Sequence, residues 1–201
     1  RLGEFLDLRG MWISTFHAMC SRILRSEIEH LEFTRNFSIY DSGDQSKCIK
    51  DIMKELKLDT DHWRPGAVAA SISNAKNELL SAEEFAEYKS GYYNDVVSKV
   101  YTKYKKYLEA NNALDFDDLL FMVVRLFKKF PEVLEKYQEK FRYILIDEYQ
   151  DTNHAQYAIT QLLAQRYENI CATGDPDQSI YGWRGANIRN ILNFEKDYPD
   201  T

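Results

Sequence analysis

The sequence has no long apolar run, and none of its hydrophobic stretches approaches the roughly 20 residues needed to span a bilayer. Charged and apolar residues alternate over positions 1–10, so this stretch does not predict a signal peptide. Cysteine is scarce, and Cys20, Cys48 and Cys171 lack the spacing of a metal site. We therefore expect reduced thiols in a cytoplasmic protein, with Cys171 as a small core residue on an apolar strand.

Positive charge is also in short supply, because 26 Lys and Arg stand against 32 Asp and Glu and give a net charge of −6. This balance argues mildly against a protein that binds nucleic acid through dense phosphate contacts. Aromatic residues are abundant, however, with 14 Tyr, 11 Phe and 3 Trp. Stacking of a base on an aromatic ring contributes about 1–3 kcal/mol whatever the base. The net charge therefore does not decide whether the protein binds nucleic acid.

Two adjacent carboxylates follow a short strand-forming run. Residues 143–146 read Tyr-Ile-Leu-Ile, and Asp147 and Glu148 come directly after them. Ligands of parallel sheets bind just beyond the carboxyl ends of the strands. In nucleotide hydrolases the first acid at such a place holds Mg²⁺, and the second orients or deprotonates the attacking water. A solvated acidic turn explains these two acids equally well when they are considered alone.

A second strand-like segment follows about twenty residues later. Residues 170–173 lead into a loop rich in Gly, Asp and Pro, and residues 154–166 in between have apolar side chains at helical spacing. A strand, a helix and a strand in this order predict a parallel crossover with both loops at one edge of the sheet. Gln178 is then expected beside Asp147 and Glu148, where its amide can donate to a phosphate oxygen or hold a water.

The chain as a whole predicts an α/β domain that is interrupted by a mostly helical insertion. Its 201 residues are enough for both, and helical patterns dominate from Gln45 to Asn112. The predicted boundaries are 1–35 for the early part of the α/β domain, 36–113 for the insertion and 114–201 for the continued domain. The expected elements are a strand at 12–16, a helix at 18–30, a strand at 37–40, a turn at 41–44, a helix from the N-cap Asp115 to about 130, and a helix starting at Pro131.

Four segments resemble motifs of one helicase family. Residues 147–151 (Asp-Glu-Tyr-Gln-Asp) and 174–186 (beginning Gly-Asp-Pro-Asp-Gln) resemble motifs II and III of the UvrD/PcrA/Rep family of superfamily 1 DNA helicases. Residues 15–17 (Thr-Phe-His) resemble an early DNA-contacting motif of that family, and residues 114–120 resemble a segment that precedes motif II. The four matches occur in the family's order over nearly the whole chain, and PcrA-like members are the nearest resemblance.

The resemblance implies a partial RecA-like P-loop NTPase sheet with a mostly helical inserted subdomain. It implies an ATP-dependent helicase that uses ATP and Mg²⁺ to move 3′ to 5′ on single-stranded DNA in DNA repair and replication. The expected partners are single-stranded DNA and its junction with duplex, without a membrane, and the full-length chain supplies the remaining helicase domains. By resemblance Asp147 is the Mg²⁺ ligand, Glu148 is the catalytic base, and Gln178 is a catalytic residue that contacts the nucleotide.

The resemblance also implies DNA contacts, for which structural alternatives stay open. Tyr181 and Trp183 are expected to stack on single-stranded bases, although both rings can instead anchor their loop against the core. Thr15, Phe16 and His17 are expected to contact the strand, since a helix N-terminus can hold a DNA phosphate. A buried and hydrogen-bonded His17 is the structural alternative.

Two basic residues complete the candidate site. Arg184 is expected near the nucleotide or the DNA strand, or else in an ion pair with Asp147 or Asp151. Lys76 is predicted to touch duplex DNA, because the insertion subdomain of the family does so. The lysines between positions 99 and 106 are instead predicted to form a solvated face. They lie beside a predicted buried stripe of Val97, Tyr101, Tyr104 and Leu108.

The sequence departs from the family at the phosphate-binding loop. That loop reads Gly-x-x-x-x-Gly-Lys-Ser/Thr, and none of the eight glycines here is followed by Lys. We therefore expect a fragment of the first motor domain that has little or no ATPase activity alone. Two alternatives stay open, namely a non-catalytic DNA-binding or regulatory module and a helicase–nuclease subunit of the AddA/RecB type.

Overall fold

The computed structural model describes residues 10–180, 182 and 185–199, in which short strands alternate with longer helices. The strands are β1 (Ser38–Tyr40), β2 (Ala113–Asp115), β3 (Ile144–Ile146) and β4 (Ile170–Ala172). The α-helices are α1 (Phe16–Glu27), α2 (Ser42–Glu55), α3 (Pro65–Asn77), α4 (Ala82–Tyr88), α5 (Tyr92–Ala110), α6 (Phe116–Lys129), α7 (Pro131–Lys140), α8 (His154–Ala164), α9 (Arg189–Leu192) and α10 (Phe194–Asp197). Short 3₁₀ helices cover Ile28–Leu31, Tyr149–Asp151 and Pro176–Gln178. Across these described ranges, no helix has the length and apolarity needed to cross a membrane.

Local side-chain chemistry fixes where several helices begin. Asp115 accepts a hydrogen bond of 2.9 Å from the Asp118 amide, and Asp118 accepts one of 3.0 Å from the Asp115 amide. This capping box starts α6, and Pro131 starts α7, where a first-turn proline costs no helical hydrogen bond. Both helix starts confirm the predictions from sequence. Asn153 caps α8 through the same kind of reciprocal pair.

Both strand pairs are parallel. β3 pairs with β4, with Ile144 opposite Ile170, and α8 connects them in sequence. This arrangement confirms the predicted crossover and the α/β character of the chain. β1 pairs with β2. This pairing joins the two ends of the helical block, which consists of α2, α3, α4 and α5. The RecA-like assignment of the β3–β4 sheet stays a prediction.

Three clusters of buried apolar side chains form the core. The first joins α1 to α6, α7 and α8, and the third lies around β3 and β4. The second cluster draws only on residues between Tyr40 and Ala113, and includes the predicted stripe Val97, Tyr101, Tyr104 and Leu108. α6 packs against α1, α3 and α8, so it is shared between the helical block and the rest. The domain boundaries stay a prediction, and the second cluster falls close to the predicted limits of the insertion.

Two predictions near the amino end are wrong. Residues 12–14 form no strand, and α1 already begins at Phe16. Trp12 is held by its ring, which meets the Phe141 ring edge-on with centroids 5.1 Å apart. Residues 41–44 are not a free turn, because the Asp41 carboxylate caps α2 by accepting from the amides at positions 43 and 44. Asp, Ser and Gly favour helix caps as well as turns, so the composition alone does not separate the two.

The predicted burial of Cys171 is also wrong. Cys171 is exposed, and it lies opposite Leu145, which is itself 78% exposed. Successive side chains of a strand point to opposite faces, so Ile146 and Ile170 enter the third cluster while Leu145 and Cys171 do not. In the described part of the chain the β3–β4 sheet therefore has one packed face and one exposed face.

Candidate functional site

Asp147 and Glu148 lie immediately after the carboxyl end of β3, and both are exposed. Asp147 Oδ1 accepts hydrogen bonds from the Glu148 amide at 3.0 Å and from the Thr173 hydroxyl, just after β4, at 2.6 Å. The Tyr149 amide also donates to the Thr173 carbonyl at 2.9 Å. These bonds hold the two loops together at one edge of the sheet, which is the arrangement that the parallel crossover predicts.

Glu148 has an uncommon backbone conformation. Its φ of 54° and ψ of 42° lie in the left-handed region, which non-glycine residues rarely adopt. Its Oε2 accepts a hydrogen bond of 2.7 Å from Gln150 Nε2. Gln150 is 1% exposed, so a buried amide orients an exposed carboxylate. Other non-glycine residues in the described part of the chain, such as Glu168, share a positive φ, so the hydrogen bonds of Glu148 rather than its backbone distinguish this position.

The other end of the Gln150 side chain contacts the loop after β4. Gln150 Oε1 accepts a hydrogen bond of 3.1 Å from the Asp175 amide. The backbone at Gly174 comes so close that an added Cβ would lie 2.3 Å from Gln150 Oε1. A side chain at position 174 would therefore displace the Gln150 amide and crowd the Ile191 side chain and the Tyr149 amide. Gln150 carries no sequence signal for this position, because a neutral side chain inside a charged motif changes neither the periodicity nor the charge pattern.

Gln178 lies in the 3₁₀ helix Pro176–Gln178 and is exposed. Its Nε2 donates a hydrogen bond of 2.7 Å to Asp175 Oδ2. A path of hydrogen bonds therefore runs from Glu148 through Gln150 and Asp175 to Gln178. The structure brings Gln178 to the same loop edge as the two acids through these intermediates, and its predicted contact with the nucleotide stays a prediction.

The acids share a cavity with the start of α1. The cavity has a volume of about 440 Å³, and its lining includes Asp147, Glu148, Thr15, Phe16 and His17. The Thr15 hydroxyl caps α1 by accepting a hydrogen bond of 3.3 Å from the Ala18 amide. Phe16 is half-buried and packs against the first and third core clusters. The structure thus places the predicted DNA-contacting residues beside the predicted catalytic acids.

His17 also lines a second, larger cleft of about 710 Å³ with residues of α3 and the start of α6. The His17 imidazole stacks on the Phe116 ring, with centroids 4.0 Å apart and planes inclined by 18°. Burial lowers the pKa of His17 to about 4, so the imidazole is neutral at pH 7. Phe116 is 56% exposed, and the described residues that line the cleft include no Lys or Arg. This lining suits a flat uncharged group better than a phosphate.

Lys76 lies in the interior rather than on the surface. Its Nζ is 2.7 Å from Asp115 Oδ2 and 2.7 Å from Asp118 Oδ1, and its side chain is 3% exposed. Burial alone lowers the pKa of Lys76, but the two carboxylates outweigh burial and raise the pKa above its ordinary value. Burial and the neighbouring Asp115 raise the pKa of Asp118 to about 7. This trio ties α3 to the start of α6.

The position of Lys76 bears directly on its predicted contact with duplex DNA. A phosphate contact requires the ammonium to leave two carboxylates in a buried site, where unpaired charge is costly. A contact of Lys76 with duplex DNA therefore requires that this buried pairing be broken, and it stays a prediction. Tyr181, Trp183 and Arg184 lie outside the residues that the structure describes, so their roles stay predictions.

The donor set at the strand ends fits Mg²⁺. Magnesium at nucleotide sites is held by one or two carboxylates together with phosphate oxygens and waters. The exposed Asp147 carboxylate and the neighbouring Thr173 hydroxyl offer oxygen ligands of this kind. Within the described ranges, no three His, Cys, Asp or Glu side chains gather as a self-sufficient metal site. The residues therefore fit a metal that is shared with a bound nucleotide.

Comparison with known proteins agrees with the geometry. Residues 2–199 match the family model described as the UvrD/REP helicase N-terminal domain. The chain is 56% identical to the ATP-dependent DNA helicase PcrA of Bacillus subtilis (strain 168) over 191 residues, which are 95% of this chain and 26% of that protein.

Two staphylococcal relatives give the same result. Identity is 50% over 191 residues to PcrA of Staphylococcus aureus (strain Mu50), covering 95% of this chain and 26% of the relative. Identity is 49% over 195 residues to PcrA of Staphylococcus epidermidis (strain RP62A), which are 97% of this chain and 27% of that relative. The chain thus spans about a quarter of the length of these relatives. Because the family model covers nearly all of it, the chain belongs to the UvrD/REP helicase family.

Proposed function

We propose that this chain carries part of the ATP-hydrolysing and DNA-contacting site of an ATP-dependent DNA helicase. The helicase moves 3′ to 5′ along single-stranded DNA, opens the junction with duplex, and acts in DNA repair and replication in the cytoplasm. The observation that carries the proposal is the pair Asp147 and Glu148 at a strand end, joined by hydrogen bonds to the loop of Gln178. Membership of the helicase family and the names of the PcrA relatives support it.

Each residue at the strand ends has a distinct role in this proposal. Asp147 holds Mg²⁺, which neutralises phosphate charge when it is bound with ATP. Glu148 orients the attacking water and accepts its proton. Gln178 and Arg184 contact the nucleotide, so Gln178 senses whether the terminal phosphate is present.

The DNA site in this proposal lies beside the same acids. Thr15, Phe16 and His17 contact the strand at the start of α1, while Tyr181 and Trp183 stack on bases. The shared cavity of His17 with Glu148 supports a short path between the hydrolytic and DNA sites. The exposed Phe116 ring, stacked on His17, extends the aromatic surface.

We expect this chain by itself to hydrolyse little or no ATP, because its sequence holds no phosphate-binding loop. The full-length protein supplies that loop and the remaining helicase domains. Mg²⁺-dependent hydrolysis by residues 1–201 alone, abolished by Glu148→Gln, contradicts this expectation. The two acids and Gln178 also count against a purely DNA-binding module, because binding alone does not require them.

The proposed function is tested by assays on the full-length protein. Hydrolysis of ATP should require Mg²⁺ and rise when single-stranded DNA is added. Unwinding should occur on duplexes with a 3′ single-stranded tail and not on matched duplexes with a 5′ tail. Hydrolysis that ignores DNA, or unwinding from the 5′ tail alone, contradicts the proposal.

A further inference from the structure

We infer that Gln150 is a positioning residue that fixes the Glu148 carboxylate and couples it to the loop of Gln178. The inference rests on the proposed function, since it assigns Gln150 an indirect part in ATP hydrolysis, through Glu148. Gln150 is buried, and it bridges two loops that follow different strands. Its role is to orient another side chain rather than to touch the nucleotide.

The Gln150 carboxamide matches the donor and the acceptor that surround it. Gln150 Nε2 donates to Glu148 Oε2 at 2.7 Å, and Gln150 Oε1 accepts from the Asp175 amide at 3.1 Å. A carboxamide offers a donor and an acceptor on one terminal group, whereas an ionised carboxylate offers acceptors only and an aliphatic side chain offers neither. The surroundings of this side chain therefore select glutamine by chemistry as well as by size.

The surroundings of the Gln150 amide nitrogen are negatively charged. Two carboxylate oxygens lie near the Gln150 amide nitrogen, Glu148 Oε2 at 2.7 Å and Asp151 Oδ2 at 3.4 Å. The amide nitrogen therefore supplies the hydrogen-bond donor that this group of acids needs. Replacing it with a carboxylate adds like charge and removes the donor at once.

Gly174 approaches the oxygen end of the Gln150 side chain closely. The glycine backbone fits against Gln150 Oε1 so tightly that even a methyl group would overlap it. The Tyr149 amide donates to the Thr173 carbonyl and the Thr173 hydroxyl donates to Asp147, so the Gln150 bond is one of several that fix the loop after β4 to the loop after β3. A displacement of the Asp175 loop is therefore transmitted to Glu148 through the Gln150 amide. Asp175 in turn holds Gln178 at 2.7 Å, which places both predicted catalytic residues on one hydrogen-bonded path.

The test compares three variants in the full-length protein. Gln150→Met keeps the length of the side chain without its polar atoms, and Gln150→Glu keeps its shape without the donor. Gln138→Met is the matched control, because Gln138 is also buried and donates to the Leu162 carbonyl, but does not line the cavity of Asp147 and Glu148. Both Gln150 variants should lower kcat for DNA-stimulated ATP hydrolysis by about tenfold or more, since small misplacements of catalytic groups have effects of that size. KM for ATP and the affinity for single-stranded DNA should stay near the wild-type values, and the control should retain its kcat.

A double-mutant cycle separates positioning from general support of the fold. If Gln150 acts through Glu148, Gln150→Met should have no further effect on single-turnover hydrolysis in a Glu148→Gln background. Equal kcat in the Gln150→Met, Gln138→Met and wild-type proteins overturns the inference, and so does an undiminished effect of Gln150→Met in the Glu148→Gln background. A wild-type protein without DNA-stimulated ATP hydrolysis refutes the proposed function instead, so the two failures are distinguishable.

Discussion

The side-chain amide of Asn153 donates a hydrogen bond of 2.6 Å to Asn77 Oδ1 and thereby ties the last turn of α3 to the N-cap of α8. Asn77 Nδ2 donates in turn to Asp117 Oδ1 at 3.2 Å. The preceding residue, Lys76, is paired with two further acids at the start of α6. Two consecutive residues of the helical block thus anchor it to the helices that flank the candidate site.

We predict that Asn77→Ala loosens the start of α8. The variant loses the bonds to Asn153 and Asp117, each of which contributes about 1 kcal/mol. Amides in the first turn of α8 should therefore exchange hydrogen about fivefold faster or more. Asn74→Ala is the control, because Asn74 is exposed on the same helix and lines the cleft without bonding α8. Unchanged exchange in the Asn77→Ala protein contradicts the assigned role of the link.

We predict that Lys76→Met destabilises the fold and leaves the electrostatic part of DNA binding unchanged. Removal of the ammonium leaves Asp115 and Asp118 buried without their partner, which costs about 3–5 kcal/mol. Chemical denaturation followed by circular dichroism measures this loss, with exposed Lys106→Met as the control. The slope of log Kd against log salt for duplex DNA should match that of the wild type. A shallower slope supports a direct phosphate contact by Lys76 instead.

We predict that Phe116→Ala weakens binding of single-stranded DNA. The ring is 56% exposed and already stacks on His17, so its removal takes away a stacking surface without opening a core cavity. Loss of one base stack corresponds to about 1–3 kcal/mol, which is a change in Kd of about 5- to 150-fold. Fluorescence anisotropy with labelled oligonucleotides measures this change. Tyr88→Ala removes a similarly exposed ring outside the cleft and should bind as the wild type does.

We predict that His17 makes the fold less stable in mild acid. Burial lowers its pKa to about 4 in the folded chain, against 6.5 for an unperturbed histidine. Between these two pH values the unfolded chain binds a proton that the folded chain does not. The free energy of unfolding is therefore unaffected by His17 above pH 6.5 and decreases as the pH falls from 6.5 towards 4. His17→Asn should unfold with a weaker dependence on pH across this window than the wild type. If the free energy of unfolding depends on pH equally in the two proteins, the prediction of a lowered pKa for His17 is contradicted.

Strong local chemistry explains which parts of the fold could be predicted from the sequence. The capping residue Asp115 and the first-turn Pro131 determine helix starts through their nearest neighbours alone, so α6 and α7 were predictable. The parallel pairing of β3 and β4 follows from a helix of the right length between two apolar runs. That pairing also determines the shared edge on which Asp147 and Glu148 lie.

Features that depend on distant partners could not be predicted in this way. Residues 12–14 have strand-forming side chains, yet a strand also needs a neighbouring backbone, and here Trp12 is fixed by aromatic contacts instead. The burial of Lys76 depends on acids about 40 positions away in sequence. The position of Gln150 likewise depends on the close approach of Gly174 from another loop.

The most direct test of the hydrolytic role of Glu148 is the rate of DNA-stimulated ATP hydrolysis by a Glu148→Gln variant of the full-length protein. The substitution removes the proposed base and keeps the size of the side chain, so kcat should fall by about 100-fold or more while ATP and DNA still bind. Glu168→Gln is the matched control, because Glu168 is exposed and has a similar left-handed φ of 53° outside the site. A Glu148→Gln protein that hydrolyses ATP at the rate of the wild type and of this control contradicts the assignment of Glu148 as the catalytic base.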